Sequence, residues 1–294
     1  MRVFVTGASG HIGSTVVPEL IAAGHEVVGL ARSEESAAAV KALGAEVRRG
    51  DLQDLDGLRA AAAEADAVVH LAFDHEAAFA GNFAGAAAAD LAVAETLGDA
   101  LAGTGKTLMA VGAGPTGDAK RDAAFAANPR SATSRALLAR TGQGVRTLLV
   151  AVPQVVHGPR DRGGFVPTLI RIARATGVSG YVGDGANRWP ATHALDLAVL
   201  YRLGLEKAPA GATLRAAAEQ GVTTREIAEV IGRHLGVPAV SVPGEQVAAH
   251  FGAFAPFVTL DNPTDSAETR RLLGWEPVQP GLVADLDQGH YFGA

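Results

Sequence analysis

The first 150 residues alternate short apolar runs with amphipathic stretches, which predicts repeated strand–helix units and a parallel sheet. Runs without polar interruption predict strands that are buried on both faces. The predicted strands are residues 3–6, 26–30, 46–49, 67–71, 107–111 and 145–152. The predicted helices are residues 12–23, 34–43, 54–63, 76–101 and 130–140. The pattern therefore predicts an α/β fold with a doubly wound parallel sheet.

Proline and glycine mark expected irregularities in this pattern. Pro18 lies inside the first helix and predicts a kink or a shifted boundary. The glycine-rich segment 112–117 predicts a loop.

The texture of the chain changes after Pro153. Glycine pairs such as Gly163-Gly164 separate shorter elements there. Helices are predicted near residues 165–175, 195–205, 223–235 and 266–273. We expect a Rossmann domain over residues 1–157 and a smaller lobe over residues 158–294. The helix near 195–205 is a candidate to return to the first domain.

Charge and composition exclude several classes of function. The net charge is −6 and no long basic run is present, which argues against a nucleic-acid partner. No apolar run approaches the roughly 20 residues of a membrane span, and we expect no membrane partner. The chain has no cysteine, so it has neither disulfides nor a thiolate metal site. Without a secretory signal pattern at its start, a cytoplasmic location is expected. The sequence leaves open whether the chain forms a homodimer.

The segment Gly7-Ala8-Ser9-Gly10-His11-Ile12-Gly13 follows a predicted strand and opens a helix. Glycines in this context let the backbone turn tightly and approach a pyrophosphate at the helix N-terminus. The alternative is a glycine-rich turn that binds no ligand.

The spacing of these glycines, G-x-x-G-x-x-G, resembles that of the extended and atypical short-chain dehydrogenases/reductases, which include the NAD-dependent epimerase/dehydratases. Four further segments resemble motifs of this superfamily: Gly50-Asp51-Leu52, His70-Leu71-Ala72, Val155-Val156-His157-Gly158-Pro159 and Thr192-His193-Ala194-Leu195-Asp196. The resemblance covers most of the first 200 residues. It implies that Asp51 contacts the adenine and that the end of the fourth strand lines the cofactor.

The second strand ends in Arg32-Ser33, with no acid before Glu34. An NAD site places a carboxylate here for the ribose diol, whereas the 2′-phosphate of NADP favours a cation. We therefore expect NADP(H) rather than NAD(H), although a merely solvated Arg32 is the alternative. The expected cofactor contacts are Gly7, Ser9, Gly10, His11, Ile12, Gly13, Arg32, Ser33, Asp51, Leu52, Leu71, Ala72, Phe73 and Arg130.

The resemblance also implies a catalytic Tyr-x-x-x-Lys pair and a Ser or Thr after the fifth strand, and the chain departs from both. None of its three tyrosines precedes the sixth strand. In this chain the position of the family's tyrosine falls near Phe125 or Ala126, and the position of its lysine falls near Arg130. The position of the serine falls near Val111-Gly112. The proton donor must therefore be unconventional.

Three side chains are candidates for that role: His75, His157 and Tyr181. His75 follows the fourth strand beside Asp74, and His157 lies on the segment that borders the substrate in the resembling family. Tyr181 is expected in a glycine-flanked loop of the second lobe. Structural roles, such as capping for Asp74-His75 and packing for Tyr181, are the alternatives.

The leading hypothesis is an NADP(H)-dependent oxidoreductase that reduces a small or medium-sized apolar carbonyl, enone or quinone-type substrate. Addition of hydride to carbon, with a proton from solvent or histidine, demands less of an active-site acid than simple ketone reduction. The alternatives are a non-catalytic NADP(H) sensor or scaffold, and an epimerase or dehydratase with retained cofactor.

Overall fold

A computed structural model gives the fold and describes residues 1–114, 116 and 119–293. The strands are β1 (Arg2–Thr6), β2 (Glu26–Ala31), β3 (Glu46–Arg49), β4 (Ala67–His70), β5 (Thr107–Val111), β6 (Arg146–Ala151), β7 (Val155–His157), β8 (Ser179–Val182), β9 (Arg188–His193), β10 (Thr213–Arg215), β11 (Glu219–Thr223) and β12 (Ala239–Val242). The helices are α1 (Gly13–Ala22), α2 (Glu34–Ala42), α3 (Leu55–Glu64), α4 (His75–Phe79), α5 (Phe83–Leu101), α6 (Ala119–Ala127), α7 (Ser131–Arg140), α8 (Phe165–Thr176), α9 (Ala194–Lys207), α10 (Thr224–Leu235), α11 (Val247–Phe251), α12 (Ala255–Val258), α13 (Ala267–Leu273) and α14 (Leu282–Asp287).

Seven parallel strands form the main sheet, in the order β10-β6-β5-β4-β1-β2-β3. The strand order reverses direction between β1 and β4, which separates the two halves of the sheet. Val5 pairs with Val69 at this switch point. All four residues of β4 are buried, as the uninterrupted apolar run predicted. The predicted α/β class with a doubly wound parallel sheet is confirmed.

Local details differ from the sequence-based expectations. The helix predicted over 76–101 is two helices, α4 and α5. They are separated at Gly81, which has φ of +96°, and Asn82 caps α5 by accepting from the amide of Gly85. Helix α1 continues through Pro18, so the expected boundary there is wrong. Of the predicted loop 112–117, residues 115 and 117 lie outside the described residues, and the others are neither helix nor strand.

The chain divides into two compact units. The first comprises Met1–Val152, Ala198–Arg215 and Thr269–Trp275. Arg146 ties the end of α9 to this unit, because its guanidinium donates to the carbonyl oxygens of Gly204, Leu205 and Ala208. A cation at a helix C-terminus satisfies carbonyls that have no partner within the helix.

The second unit comprises Pro153–Leu197, Ala216–Glu268 and Glu276–Ala294. It holds a three-stranded sheet, β11-β9-β7, and a two-stranded sheet, β12-β8. An aromatic cluster of Phe165, Trp189, Phe254 and Phe257 lies in its core, with ring centroids about 5 to 6 Å apart. None of the helices in the described part of the chain is long and apolar enough to span a membrane.

Candidate functional site

The glycine loop between β1 and α1 leaves no room for a side chain at Gly7 or Gly13. Gly7 has φ of +68°, and a Cβ there would stand 2.8 Å from the amide nitrogen of Ala72. A Cβ on Gly13 would overlap the carbonyl oxygen of Gly7. The amide of Gly10 donates to that same oxygen at 3.0 Å, which closes the turn. The loop therefore brings bare backbone to the start of α1, where a pyrophosphate binds in folds of this kind.

Directly after β2 stands the positively charged side chain of Arg32, as the sequence indicated. Arg32 is exposed, and no carboxylate among the described residues pairs with it. Ser33 caps α2 by accepting from the amide of Ser36. Arg49, at the end of β3, donates to the Ser33 carbonyl and pairs with Glu34 at 3.1 Å.

The segment after β3 forms a tight turn. The carboxylate of Asp51 accepts from the amide of Gln53 at 2.7 Å, and Asp51 is exposed. Leu52 is partly buried against the core of the first unit. The structure thus places Asp51 and Leu52 at the same sheet edge as Arg32, where the sequence expected the adenosine half of the cofactor.

The ends of β1 and β4 are joined through the hydroxyl of Thr6. Its Oγ1 accepts from the amides of Leu71 and Ala72 at 3.2 and 3.3 Å, and lies 2.7 Å from Nδ1 of His70. A hydroxyl has one proton and two lone pairs. Because both lone pairs are used, the Thr6 proton donates to Nδ1. The proton of the neutral His70 ring therefore sits on Nε2.

With its proton on Nε2, His70 can donate a hydrogen bond to Asp90 on α5. Nε2 of His70 donates to Oδ1 of Asp90 at 3.3 Å, and the hydroxyl of Thr133 donates to Oδ2 at 3.0 Å. Nε of Arg130 lies 3.5 Å from Oδ2. Burial alone would raise the pKa of Asp90, but the hydrogen bond of His70, then the charge of Arg130 and the hydrogen bond of Thr133, lower it below its ordinary value. Asp90 is thus a buried carboxylate that is ionised at neutral pH.

Arg130 is held on two sides. It precedes the first residue of α7, and its guanidinium carbon lies 4.2 Å from the centroid of the Phe73 ring. The Phe73 ring packs edge-on against His75, with centroids 5.0 Å apart. Arg130, Phe73 and His75 therefore meet beyond the carboxyl end of β4, on the side of the switch point opposite Arg32.

His75 begins α4 behind Asp74, which caps the helix by accepting from the amide of Ala77. Desolvation by the surrounding protein, followed by the charge of Arg130, lowers the pKa of His75, although the residue is exposed. The neutral imidazole therefore dominates at neutral pH. Such a ring can relay a proton from water but is a weak acid by itself.

The first unit holds one tyrosine, Tyr201, brought there by α9. It is only 1% exposed, and burial raises the pKa of its hydroxyl far above the ordinary value. Tyr201 therefore cannot present a proton to a substrate. Phe125 and Ala126, near which the sequence set the tyrosine's place, lie on α6.

A hydroxyl does stand beside the end of β5, but it comes from α7. Oγ of Ser134 accepts from the amide of Ala113 at 3.3 Å, and a Cβ on Gly112 would lie 2.7 Å from it. Val111 and Gly112 carry no hydroxyl themselves, so a hydroxyl at the place expected for the family's serine comes from another element. A cavity of about 190 Å³ adjoins it, lined by Ala113, Gly114, Asp122, Phe125, Ala126, Ser134, Arg135 and Leu138.

Two of the three predicted proton donors belong to the second unit and have structural partners there. His157 is fully buried, and its Nδ1 lies 2.8 Å from a carboxylate oxygen of Asp285. Tyr181 lies on β8, not in a loop, and the guanidinium of Arg225 covers its ring at 5.0 Å. A completely buried imidazole has no access to a substrate, which argues against His157 as the donor.

The neighbouring Asn187-Arg188-Trp189 segment also has structural partners. The Asn187 amide donates to the Val258 carbonyl, Arg188 pairs with Asp261, and Trp189 is buried. Within the described residues, no group of three acidic or histidine side chains is arranged to hold a metal ion.

A family model for the NAD dependent epimerase/dehydratase family matches residues 3–216. The chain belongs to this family. An uncharacterized protein of Schizosaccharomyces pombe is 42% identical over 299 residues, covering 99% of this chain and 100% of that protein. A 4-hydroxy-2-methyl-3-oxo-4-farnesyl-3,4-dihydroquinoline-1-oxide ketoreductase of Stigmatella aurantiaca is 43% identical over 72 residues, which are 24% of this chain and 22% of that enzyme.

Solved structures of the epimerase/dehydratase family have the same fold. A dTDP-glucose 4,6-dehydratase double mutant from Streptomyces venezuelae, with NAD bound, superposes with a TM-score of 0.76 at 20% identity. The match covers 99% of this chain and 97% of that one. The predicted resemblance to extended short-chain dehydrogenases/reductases is confirmed.

Asp90, Thr133 and Ser134 are the site residues that the sequence did not reveal. Asp90 lies in an alanine-rich helix, where a single acidic residue is expected to face solvent. Its burial could have been inferred from spacing, because Asp90 lies three and four residues from the buried Val93 and Ala94.

Proposed function

We propose that the protein is an NADP(H)-dependent oxidoreductase that reduces a small or medium-sized carbonyl, enone or quinone-type compound. The observation that carries this proposal is Arg130, a guanidinium anchored by Asp90 and stacked on Phe73 beyond the end of β4. In dinucleotide-binding folds, the cofactor crosses the sheet at its switch point. With the adenosine half above β2 and β3, the hydride-bearing half would lie near Arg130.

The residues present fit such a cofactor. Gly7 and Gly13 form a cradle that a single Cβ would fill, and the start of α1 favours a pyrophosphate. Ser9, His11 and Ile12 would lie along it, with Leu71 and Ala72 under the nicotinamide half. When bound, NADPH supplies a hydride to an electrophilic carbon.

Arg130 would stabilise the negative charge that develops on the substrate oxygen, since a guanidinium keeps its proton at any physiological pH. This suits conjugate reduction, in which the enolate takes its proton later, at carbon. His75, neutral at neutral pH and adjacent to Phe73, would relay that proton from water. The local similarity to a ketoreductase supports reduction of a carbonyl-containing compound.

Steady-state consumption of NADPH tests this proposal. The purified protein should oxidise NADPH with at least one member of a panel of ketones, enones and quinones, giving one reduced product per NADPH. The reaction should survive Arg59→Gln, which removes an exposed arginine on α3. NADPH binding without turnover across the panel would contradict the proposal and favour the sensor or scaffold.

Arg32 should select the cofactor. Replacement of Arg32 by Glu puts a carboxylate beside the ribose, so NADPH affinity should fall by roughly tenfold or more, while NADH affinity should be kept or improved. Isothermal titration with each nucleotide measures both. Arg49→Gln is the matched control, because Arg49 is already paired with Glu34. Equal losses for both nucleotides in Arg32→Glu would refute the contact with the 2′-phosphate.

A further inference from the structure

Arg130 has more hydrogen-bond donors than partners. A guanidinium carries five N–H groups, and Nε of Arg130 faces Asp90 in an ion pair at 3.5 Å. No acceptor among the described residues engages the two Nη nitrogens, and the side chain is 24% exposed. The four N–H groups on these nitrogens form the fork that binds carboxylates in two-point contacts.

The surroundings hold this fork in a fixed orientation. The Asp90 side chain is 2% exposed and is locked by His70 and Thr133, so the anchor of Arg130 cannot rotate freely. The Phe73 ring covers one face of the guanidinium. Only the outer edge of the guanidinium is left for a ligand. Because this edge is already held in place, less conformational entropy is lost when a ligand binds.

A cavity of about 190 Å³ lies one turn further along α7. Arg130, Ser134 and Leu138 are spaced by four residues and therefore lie along one side of the helix. Ser134 and Leu138 line the cavity together with Ala113, Gly114, Phe125, Ala126 and two charged side chains, Asp122 and Arg135. The Asp122 carboxylate accepts from the amide and the hydroxyl of Thr116. A small ring fits such a volume, since an engineered apolar cavity of roughly 150 Å³ binds benzene.

We propose that the substrate is a carboxylate: Arg130 binds the acid group, and the apolar body of the molecule enters the cavity beside Ser134. The substrate class is then a carbonyl or enone compound with a carboxylate directly beside the reacting group and a small ring or branched chain. With this arrangement the same guanidinium edge contacts both the acid group and the oxygen on which negative charge develops. This inference rests on the proposed function for its chemistry, but it concerns a binding site that can be tested without turnover.

The test uses two probes of equal shape and different charge, cinnamate and cinnamamide. Each is titrated calorimetrically into the protein with and without saturating NADP⁺. Cinnamate should bind at least roughly tenfold more tightly than the amide, as expected for charge-assisted contacts. Arg130→Gln should abolish this preference, and Arg130→Lys should keep part of it. Arg59→Gln should leave it intact.

Three results would overturn the assignment: equal affinity for the two probes, a preference that survives in Arg130→Gln, or no binding of either probe at millimolar concentration. If Arg130→Gln weakens NADP⁺ binding and keeps the preference, Arg130 serves the cofactor ribose instead. Failure of the proposed reductase function would look different, because NADPH would not be consumed while the carboxylate preference persisted.

Discussion

Replacement of Gly13 by alanine should strongly weaken dinucleotide binding and destabilise the protein. The added methyl group would overlap the Gly7 carbonyl and approach Ala8 to 2.8 Å, and backbone atoms cannot move aside as a flexible side chain can. The loop must open, at a cost of about 3 kcal/mol in the free energy of unfolding. NADPH affinity should fall by roughly a hundredfold or more, since backbone donors to the pyrophosphate would be displaced.

Gly142→Ala is the matched control for this change. Gly142 is exposed, and a Cβ there would meet nothing within 4 Å. Urea unfolding and nucleotide titration of both variants give the two quantities. If Gly13→Ala binds NADPH as the wild type does, the glycine loop is not the pyrophosphate site.

Replacement of Asp90 by alanine should cost about 3 kcal/mol or more in the free energy of unfolding. Removing the carboxylate leaves the Nε2 proton of His70 and the hydroxyl of Thr133 buried without an acceptor, and it releases Arg130. His70 cannot easily change tautomer, because Thr6 already donates to its other nitrogen. Any turnover should fall with the loss of Arg130's position.

Asp99→Ala, on the same helix, is the control for this change. The Asp99 side chain is 54% exposed and pairs with Arg140, so the free energy of unfolding should fall by less than about 1 kcal/mol.

The stability that Asp90 contributes should depend on pH. Because the fold lowers the pKa of Asp90, this contribution is complete above the ordinary value of 3.8 and disappears as the pH falls through the lower folded value. The difference in unfolding free energy between wild type and Asp90→Ala should therefore shrink in acid. A difference that is small at pH 7 would show that the network adds no stability.

The pattern of apolar runs was sufficient to predict the main sheet and its class, because strands buried on both faces appear in the sequence as near-continuous apolar runs. It missed β10, a three-residue strand that joins the sheet only because α9 returns to the first unit. That return depends on Arg146 and on long-range contacts that no local pattern contains.

The candidate site shows the same division. The glycine loop and Arg32 are local features and were readable from spacing and charge. The Thr6–His70–Asp90–Arg130 network joins β1, β4, α5 and the start of α7, so its members are far apart in the chain and come together only through the sheet order. His157 misled for the opposite reason: its motif position suggested a substrate contact, whereas its partner Asp285 lies 128 residues further along.

Direct titration of the purified wild-type protein with NADPH and NADH tests the central claim most directly. Saturable binding of one NADPH per chain is expected, with NADH bound at least roughly tenfold more weakly because NADH has no 2′-phosphate for Arg32 to contact. Binding of neither nucleotide would contradict the proposed function, because the glycine cradle would then bind no dinucleotide and the proposed reduction would lose its hydride source.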